Sequence, residues 1–319
     1  MERGVSRMES RSLTIRATRD ESSLKKPLAV FDVDGTLFRR GLLPELTRRL
    51  VDEGVFSERV REELSWDYYA WVERRSSYES YDNLVVELFQ RELKGIALEE
   101  LRRCARAEVE DHGRRLHLYT HELTQRLREA GYFLLAISGS PAEILDTFLK
   151  PLGFGKAFGT VLAMDDEDRY TGKRLSNPFE DKRRVLEEFL AETNLNLEGS
   201  VGVGDTLSDV GFLERVETPI AFNPNRALFE VALERRWHLV VERKGVIYNL
   251  SMPLVDPILK EGTQWIMLGQ RGGCGSRGSP TGRYATQNLL SSTSFTCSSL
   301  PRLVLKVLVS CSIAPLRIQ

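Results

Sequence analysis

The chain has 319 residues, with 45 Lys plus Arg against 46 Asp plus Glu, and its formal charge of -1 argues against a generic polyanion binder such as a nucleic-acid protein. At 41% apolar and 29% charged residues the composition is that of an ordinary soluble globular protein, long enough for one large domain or two modest ones. No apolar run is long enough to span a bilayer, and the first 26 residues contain no apolar stretch of the signal-peptide kind. The four cysteines, Cys104, Cys274, Cys297 and Cys311, match neither a zinc pattern nor a disulfide framework, so a cytoplasmic location is expected.

Residues 1–26 are expected to form a disordered N-terminal segment. From Leu28 to Val241 short β-branched runs alternate with longer amphipathic ones, which predicts a mostly parallel sheet with helices on its faces. The runs Leu28–Phe31, Tyr132–Ile137, Ser200–Val203 and Pro219–Phe222 read as buried strands, each followed by a turn signal and a helical pattern. In such folds ligands bind beyond the carboxyl ends of the strands, where this chain carries Asp32, Ser138 and Asp205.

The first strand end reads Asp32-Val33-Asp34-Gly35-Thr36: two carboxylates two residues apart, then a glycine that permits a tight turn. Such acids repel one another unless a cation joins them. Taken alone, the Asp-Gly pair also fits a hairpin turn. A calcium loop starting at Asp32 is excluded, because its sixth and twelfth positions are Leu37 and Leu43.

After the second strand, Ser140, Pro141 and Glu143 have the spacing of a capping box with proline at the first helical position. The free amides of that helix start would attract an anion near Ser138 and Gly139, although these residues also suffice merely to begin a helix. Lys182 opens an amphipathic helix through Val185, Leu186, Phe189 and Leu190, where its charge opposes the helix dipole. A phosphoryl group or Asp32 would offset this; Lys173 is the rival basic residue.

The strand at Ser200–Val203 delivers Gly204-Asp205-Thr206-Leu207-Ser208-Asp209. Asp209 has the spacing of a capping partner for Thr206, whereas Asp205 at the strand end has no such local purpose. The dinucleotide fingerprint suggested by Gly202-Val203-Gly204 fails, because position 207 is Leu. His117 and His121 lack a third ligand and read as surface residues. No GxSxG elbow occurs, so carboxylate and divalent-metal chemistry is favoured over serine or zinc hydrolysis.

The chain changes character after Glu261, its last acidic residue. Residues 262–319 hold six basic residues, a glycine-rich run from Gly272 to Gly278 and nine serines, and are expected to form a low-complexity, disordered tail. A strand or peripheral helix is compatible with Leu300–Leu316.

In this order, Asp32–Thr36, Ser138–Ser140, Lys182 and Gly204–Asp209 resemble the four motifs of the haloacid dehalogenase superfamily, most closely its phosphoserine-phosphatase-like branch, subfamily IB. The resemblance covers about residues 27–241 and implies an α/β, Rossmann-like core with a mostly parallel sheet and a helical C1-type cap inserted after the first motif. The core would comprise residues 27–40 and 120–245, and the cap residues 41–119. The insert fits the spacing, since 106 positions separate Asp32 from Ser138 while one strand-to-strand crossover needs only about 30 residues.

The resemblance implies a Mg²⁺-dependent phosphomonoester hydrolase acting on a small phosphorylated metabolite. Asp32 would be the nucleophile and Asp34 the general acid and base. Thr36, Ser138, Gly139 and Lys182 would hold the phosphoryl group, and Asp32, the Asp34 carbonyl, Asp205 and Asp209 the metal. Thr36 would also hydrogen-bond into the proton shuttle. A phosphotransferase using the same aspartyl phosphate, or a catalytically silent module, are the alternatives. Phosphoserine is not supported: its phosphatases carry a glutamate nine residues beyond the nucleophile, where this chain has Gly41, and Glu45 is displaced by a turn. In the insert, Leu64, Tyr68 and Trp71 follow helical spacing, and with Trp66, Tyr69, Tyr78 and Tyr81 they are expected to form the cap's own core. Arg74 and Arg75 read as solvated.

Overall fold

A computed structural model describes residues 26–251 and 308–312. The expectations of disorder for residues 1–26 and 262–319 lie outside the described residues, except at Lys26 and Leu308–Ser312.

Strand β1 (Pro27–Phe31) lies at the centre of the sheet. Helices α1 (Leu42–Asp52), α2 (Glu58–Val72), α3 (Tyr78–Leu93) and α4 (Leu98–His112) follow, filling the insert, and α5 (Leu118–Glu129) leads into β2 (Phe133–Pro141). Then come α6 (Ala142–Leu149), the hairpin β3 (Lys156–Met164) and β4 (Tyr170–Ser176), α7 (Lys182–Ala191), and β5 (Asn196–Gly204). The remaining elements are α8 (Val210–Leu213), β6 (Thr218–Phe222), α9 (Arg226–Glu234), β7 (His238–Arg243), β8 (Val246–Ser251) and β9 (Leu308–Ser312).

The sheet order is β4-β3-β2-β1-β5-β6-β7-β8-β9. Pairing is parallel from β3 to β7 and antiparallel at both margins, so the α/β class expected from the strand runs is the class observed. All four expected strands are present. The hairpin β3–β4 was not anticipated, because β4 is exposed over most of its length and Gly172 interrupts its pattern.

Alternation along β1 divides the core between the two faces of the sheet. Leu28 and Val30 pack with Leu186 of α7, Phe212 and Leu213 of α8 and Leu228 of α9. Ala29 and Phe31 join the opposite cluster, with Leu46 and Leu50 of α1, Leu101 of α4 and Ile144 and Phe148 of α6. The inserted helices α1 and α4 are therefore continuous with the core beneath them.

The aromatic residues of the insert require a correction. Leu64 and Tyr81 are buried, but Trp66 is 77% exposed and Tyr69 59% exposed, so these two take no part in the insert's core. Helix α2 turns only Val60 and Leu64 fully inward, and Trp66 and Tyr69 fall on its solvent side. Arg74 and Arg75 are exposed, as expected.

Phe148 is fully enclosed and meets Phe38 edge-on at 5.5 Å, joining α6 to the turn after β1. Phe148→Ala is expected to destabilise the fold by about 3–5 kcal/mol, read as a lower midpoint at constant slope in urea unfolding.

Candidate active site

Chain connections leave β1 in opposite directions: β2 lies on one side of it and β5 on the other. The crevice at this switch point opens beyond the carboxyl ends of the three strands. The Asp32 amide donates to the Val203 carbonyl at 2.9 Å, extending the ladder and holding the first acid against β5. Beyond it the chain reverses, with the Leu37 and Phe38 amides both donating to the Val33 carbonyl at 2.9 Å. Gly35 occupies the left-handed region at φ +83°, and an added Cβ would stand 2.2 Å from Asp205 Oδ2. The Asp-Gly pair thus belongs to a turn that packs against the Asp205 loop rather than to a hairpin.

Lys182 is buried at the first turn of α7, and its Nζ donates to Asp32 Oδ1 and to Asp209 Oδ1, both at 2.6 Å. Two carboxylates therefore offset its unfavourable place at the positive end of a helix. Lys173 is exposed on β4 and takes no part. Asp209 Oδ2 accepts from the amides of Asp205 and Thr206 at 2.9 Å, completing the capping box with Thr206. One side chain thus caps a turn and anchors the lysine.

Asp34 is held on both oxygens. Oδ1 accepts from the Leu42 amide at the start of α1 at 2.6 Å, and Oδ2 accepts from Ser138 Oγ at 2.6 Å and Ser140 Oγ at 2.9 Å. Ser140 is a contact that sequence reasoning assigned to a cap. Pro141, rather than Ser140, occupies the N-cap position of α6 without a side-chain bond, and Glu143 accepts from the Tyr170 hydroxyl at 2.6 Å. The expected capping box is absent because β2 runs on through Pro141, with a register irregularity after Ile137. Gly139 lies between the two serines, its carbonyl accepting from Thr160 Oγ1 at 2.6 Å. Thr36 is buried and its hydroxyl has no partner among the described residues, so the expected hydrogen bond into a proton shuttle is not made here.

One carboxylate oxygen each from Asp32, Asp205 and Asp209 lies within 4.8 Å of the others. Asp32 Oδ2 is buried without a partner among the described residues. Burial pushes the Asp32 carboxyl up to about 7, with Lys182 pulling it down and Asp209 and Asp34 adding to the rise. Burial likewise lifts Asp205, reinforced by Asp32 and Asp209. Three acids facing one lysine, with an orphaned oxygen among them, form an all-oxygen donor set suited to a hard divalent cation. Both Asp209 oxygens are already engaged, which makes it a support for the other two.

A second acidic group, Glu45, Glu108 and His112, is different in kind. Glu45 accepts from Arg40 at 3.0 Å, Arg48 at 2.6 Å and Arg115 at 3.3 Å, and Glu108 accepts from Arg49 at 3.2 Å. Guanidinium groups supply the counter-charge there. The surface reading of His117 is also corrected: it is buried before α5, edge-on to Phe222 at 4.9 Å and 3.4 Å from Glu242 Oε1. The apolar run of β6 ends in Phe222, which covers the ring. His121 lies one turn on and faces Gln125.

Residues 29–214 match the family model of the haloacid dehalogenase-like hydrolases. The chain belongs to this family. It is 31% identical over 212 residues to a phosphoserine phosphatase of Archaeoglobus fulgidus, a match covering 65% of this chain and 56% of the other. The chain thus spans little more than half the length of that relative. It is 25% identical over 228 residues to a histidinol-phosphatase of Neisseria meningitidis serogroup C, covering 66% of this chain and 97% of the other. A protein of unknown function from Bordetella pertussis Tohama I shares the fold, with a TM-score of 0.55 and 22% identity over 68% of this chain and 98% of its own. In this haloacid dehalogenase-like hydrolase, as in an enzyme built at a sheet switch point, the acids stand on turns and the lysine on a helix start.

Gly35→Ala is expected to force Asp205 aside and to strain the turn, lowering stability by about 1–3 kcal/mol in urea unfolding. The folded protein holds protons on Asp32 and Asp205 more tightly than the unfolded chain, whose Asp carboxyls titrate near 3.8. That contribution to stability is complete below 3.8 and is lost as pH rises through about 7. In metal-free buffer the Tm is therefore expected to fall between about pH 4 and about pH 7, and Asp205→Asn to flatten the fall. An identical pH profile for both proteins contradicts this.

Proposed function

We propose that the protein is a Mg²⁺-dependent phosphomonoesterase that works through an aspartyl phosphate on Asp32 and acts on a small phosphorylated metabolite in the cytoplasm. The observation that carries the reading is the state of Asp32: Oδ1 is anchored by Lys182, whereas Oδ2 is buried and unpartnered among the described residues, free to react. A cation held by Asp32, Asp205 and the Asp34 carbonyl, with Asp209 in support, would screen the repulsion between the attacking carboxylate and a phosphate dianion.

Asp32 attacks phosphorus as the bond from phosphorus to the alcohol oxygen breaks, and Asp34 gives its proton to the departing oxygen. Water then attacks phosphorus, the bond to Asp32 breaks, and Asp34 takes the proton from that water. Ser138, the Gly139 amide and the unpartnered Thr36 hydroxyl are the neutral donors for phosphoryl oxygens, and Lys182 opposes the charge that develops there. Since Ser138 donates to Asp34, a phosphoryl oxygen competes for the same hydroxyl and leaves Asp34 Oδ2 with the Ser140 hydrogen bond alone, which opens room on it for a proton. The helices of residues 41–119 serve as the cap that covers the site and excludes bulk water.

With a panel of phosphomonoesters and Mg²⁺, turnover is expected for wild type and background rates for Asp32→Asn, while Asp34→Asn loses about 10²–10⁴-fold in kcat. Chelation with EDTA is expected to abolish activity and added Mg²⁺ to restore it. Equal rates for wild type and Asp32→Asn reject the assignment, and phosphorylated products formed from added alcohols would instead identify a transferase.

A further inference from the structure

The turn that carries Asp34 is gripped from one side by the start of α5, outside the reacting groups. The His117 amide donates to the Leu37 carbonyl at 3.0 Å, and Thr120 Oγ1 donates to the Thr36 carbonyl at 2.8 Å. Thr120 is fully buried, and its bond reaches across 84 positions of sequence. A helical threonine can instead bond a carbonyl one turn back in its own helix, as Thr124 does to Thr120 at 2.7 Å.

The start of α5 is held in turn by Glu242, near the carboxyl end of β7 and on the same edge of the sheet as the acids. Its side chain is only 4% exposed. Oε2 accepts from the Tyr119 amide at 2.9 Å, and Oε1 lies 3.4 Å from His117 Nδ1. Among the described residues no Lys or Arg pairs with it. A buried carboxylate is costly, and β7 needs none for its own pairing. The Glu242 amide donates to Asn223 Oδ1 at 2.8 Å, on the segment that follows β6. Asn223 is left-handed at φ +42°, a conformation asparagine tolerates, and two residues on the Asn225 amide donates to the Asp205 carbonyl at 2.8 Å. Two supports therefore meet at Glu242. One reaches the Asp34 turn through α5, and the other reaches the Asp205 loop through Asn223 and Asn225.

We propose that Glu242 and Thr120 are positioning residues that fix the Asp34 turn against the Asp205 loop from outside the site. This rests on the phosphomonoesterase reading. Loosening the clasp shifts Asp34, which passes the proton, more than Ser138, Gly139 and Lys182, which hold the phosphoryl group from other elements. The loss then falls on kcat rather than on KM.

The test measures kcat, KM and Tm with a phosphomonoester that wild type hydrolyses. Thr120→Val keeps the shape of the side chain and removes the hydroxyl; kcat is expected to fall about tenfold or more while KM changes less than about threefold. Thr124→Val removes a hydroxyl bonded only within α5 and should leave kcat unchanged. Glu242→Ala is expected to cost about 10²-fold in kcat, and Glu242→Gln, which still accepts from Tyr119 and reaches His117, to restore most of it. A lowered Tm with unchanged kcat in either Thr120→Val or Glu242→Ala overturns the inference while leaving the phosphatase standing, as does an equal loss in both threonine variants. Should Glu242→Ala fail to fold, the two threonine variants decide. Failure of wild type to hydrolyse any phosphomonoester overturns the parent reading instead, and hydrogen exchange then judges the clasp separately. Leu37 and Phe38 amides exchanging about tenfold faster in Thr120→Val, but not in Thr124→Val, support it; equal exchange in both variants and wild type overturns it.

Discussion

A single buried ammonium organises the site. Lys182 joins Asp32, at the end of β1, to Asp209, on the loop after β5, and so ties the first and last strands of the switch point to the start of α7. None of the three charges is stable in that position alone, because each is taken almost completely out of water. Together they are mutually compensated, but incompletely: one lysine serves three acids, since Asp205 also feels Lys182, and the second oxygen of Asp32 has no partner among the described residues. That residual negative potential is what a divalent cation and then a phosphoryl group would satisfy.

The backbone enforces this arrangement as firmly as the side chains do. Parallel pairing of β1 with β2 and β5 delivers three chain reversals to one edge of the sheet. Two of these reversals interlock, because Asp205 occupies the space that a side chain at position 35 would fill. Asp209 lies as closely over Gly204, where a Cβ would meet its own at 2.5 Å. Glycine is required at both positions for steric reasons before any chemistry is considered. The serines of the β2 reversal reach across to Asp34, so the third loop is coupled to the first through hydrogen bonds instead of packing.

The inserted helices participate in the same network. The Leu42 amide binds Asp34, and α1 and α4 share a core with β1 and α6, which fixes the base of the insert. Helix α2 is more loosely attached, turning only Val60 and Leu64 fully inward, whereas α3 buries Tyr81, Val85, Leu88, Phe89 and Leu93 in the shared core. This gradient, from helices built into the core to an outer helix α2 that is largely surface, would let the proposed cap open without disturbing the acids below.

Sequence alone determined the parts that depend on short-range patterns. An apolar run followed by Asp-x-Asp-Gly, Ser-Gly-Ser or Gly-Asp defines a buried strand and the residue that leaves it, and the structure places those ends beside one another. The mutual capping of Thr206 and Asp209 is likewise a relation within four residues. What tertiary structure decided are relations between distant segments. Lys182 lies 150 residues from Asp32, and only the fold converts a misplaced helix-start lysine into the partner of two acids. Ser140 has the local chemistry of a cap, yet continuation of β2 turns its hydroxyl to Asp34. Trp66 and Tyr69 fall on the solvent side of α2, a placement that their spacing alone did not reveal. Periodicity reports which residues of a helix share a face, but the direction of that face is set by what packs behind it.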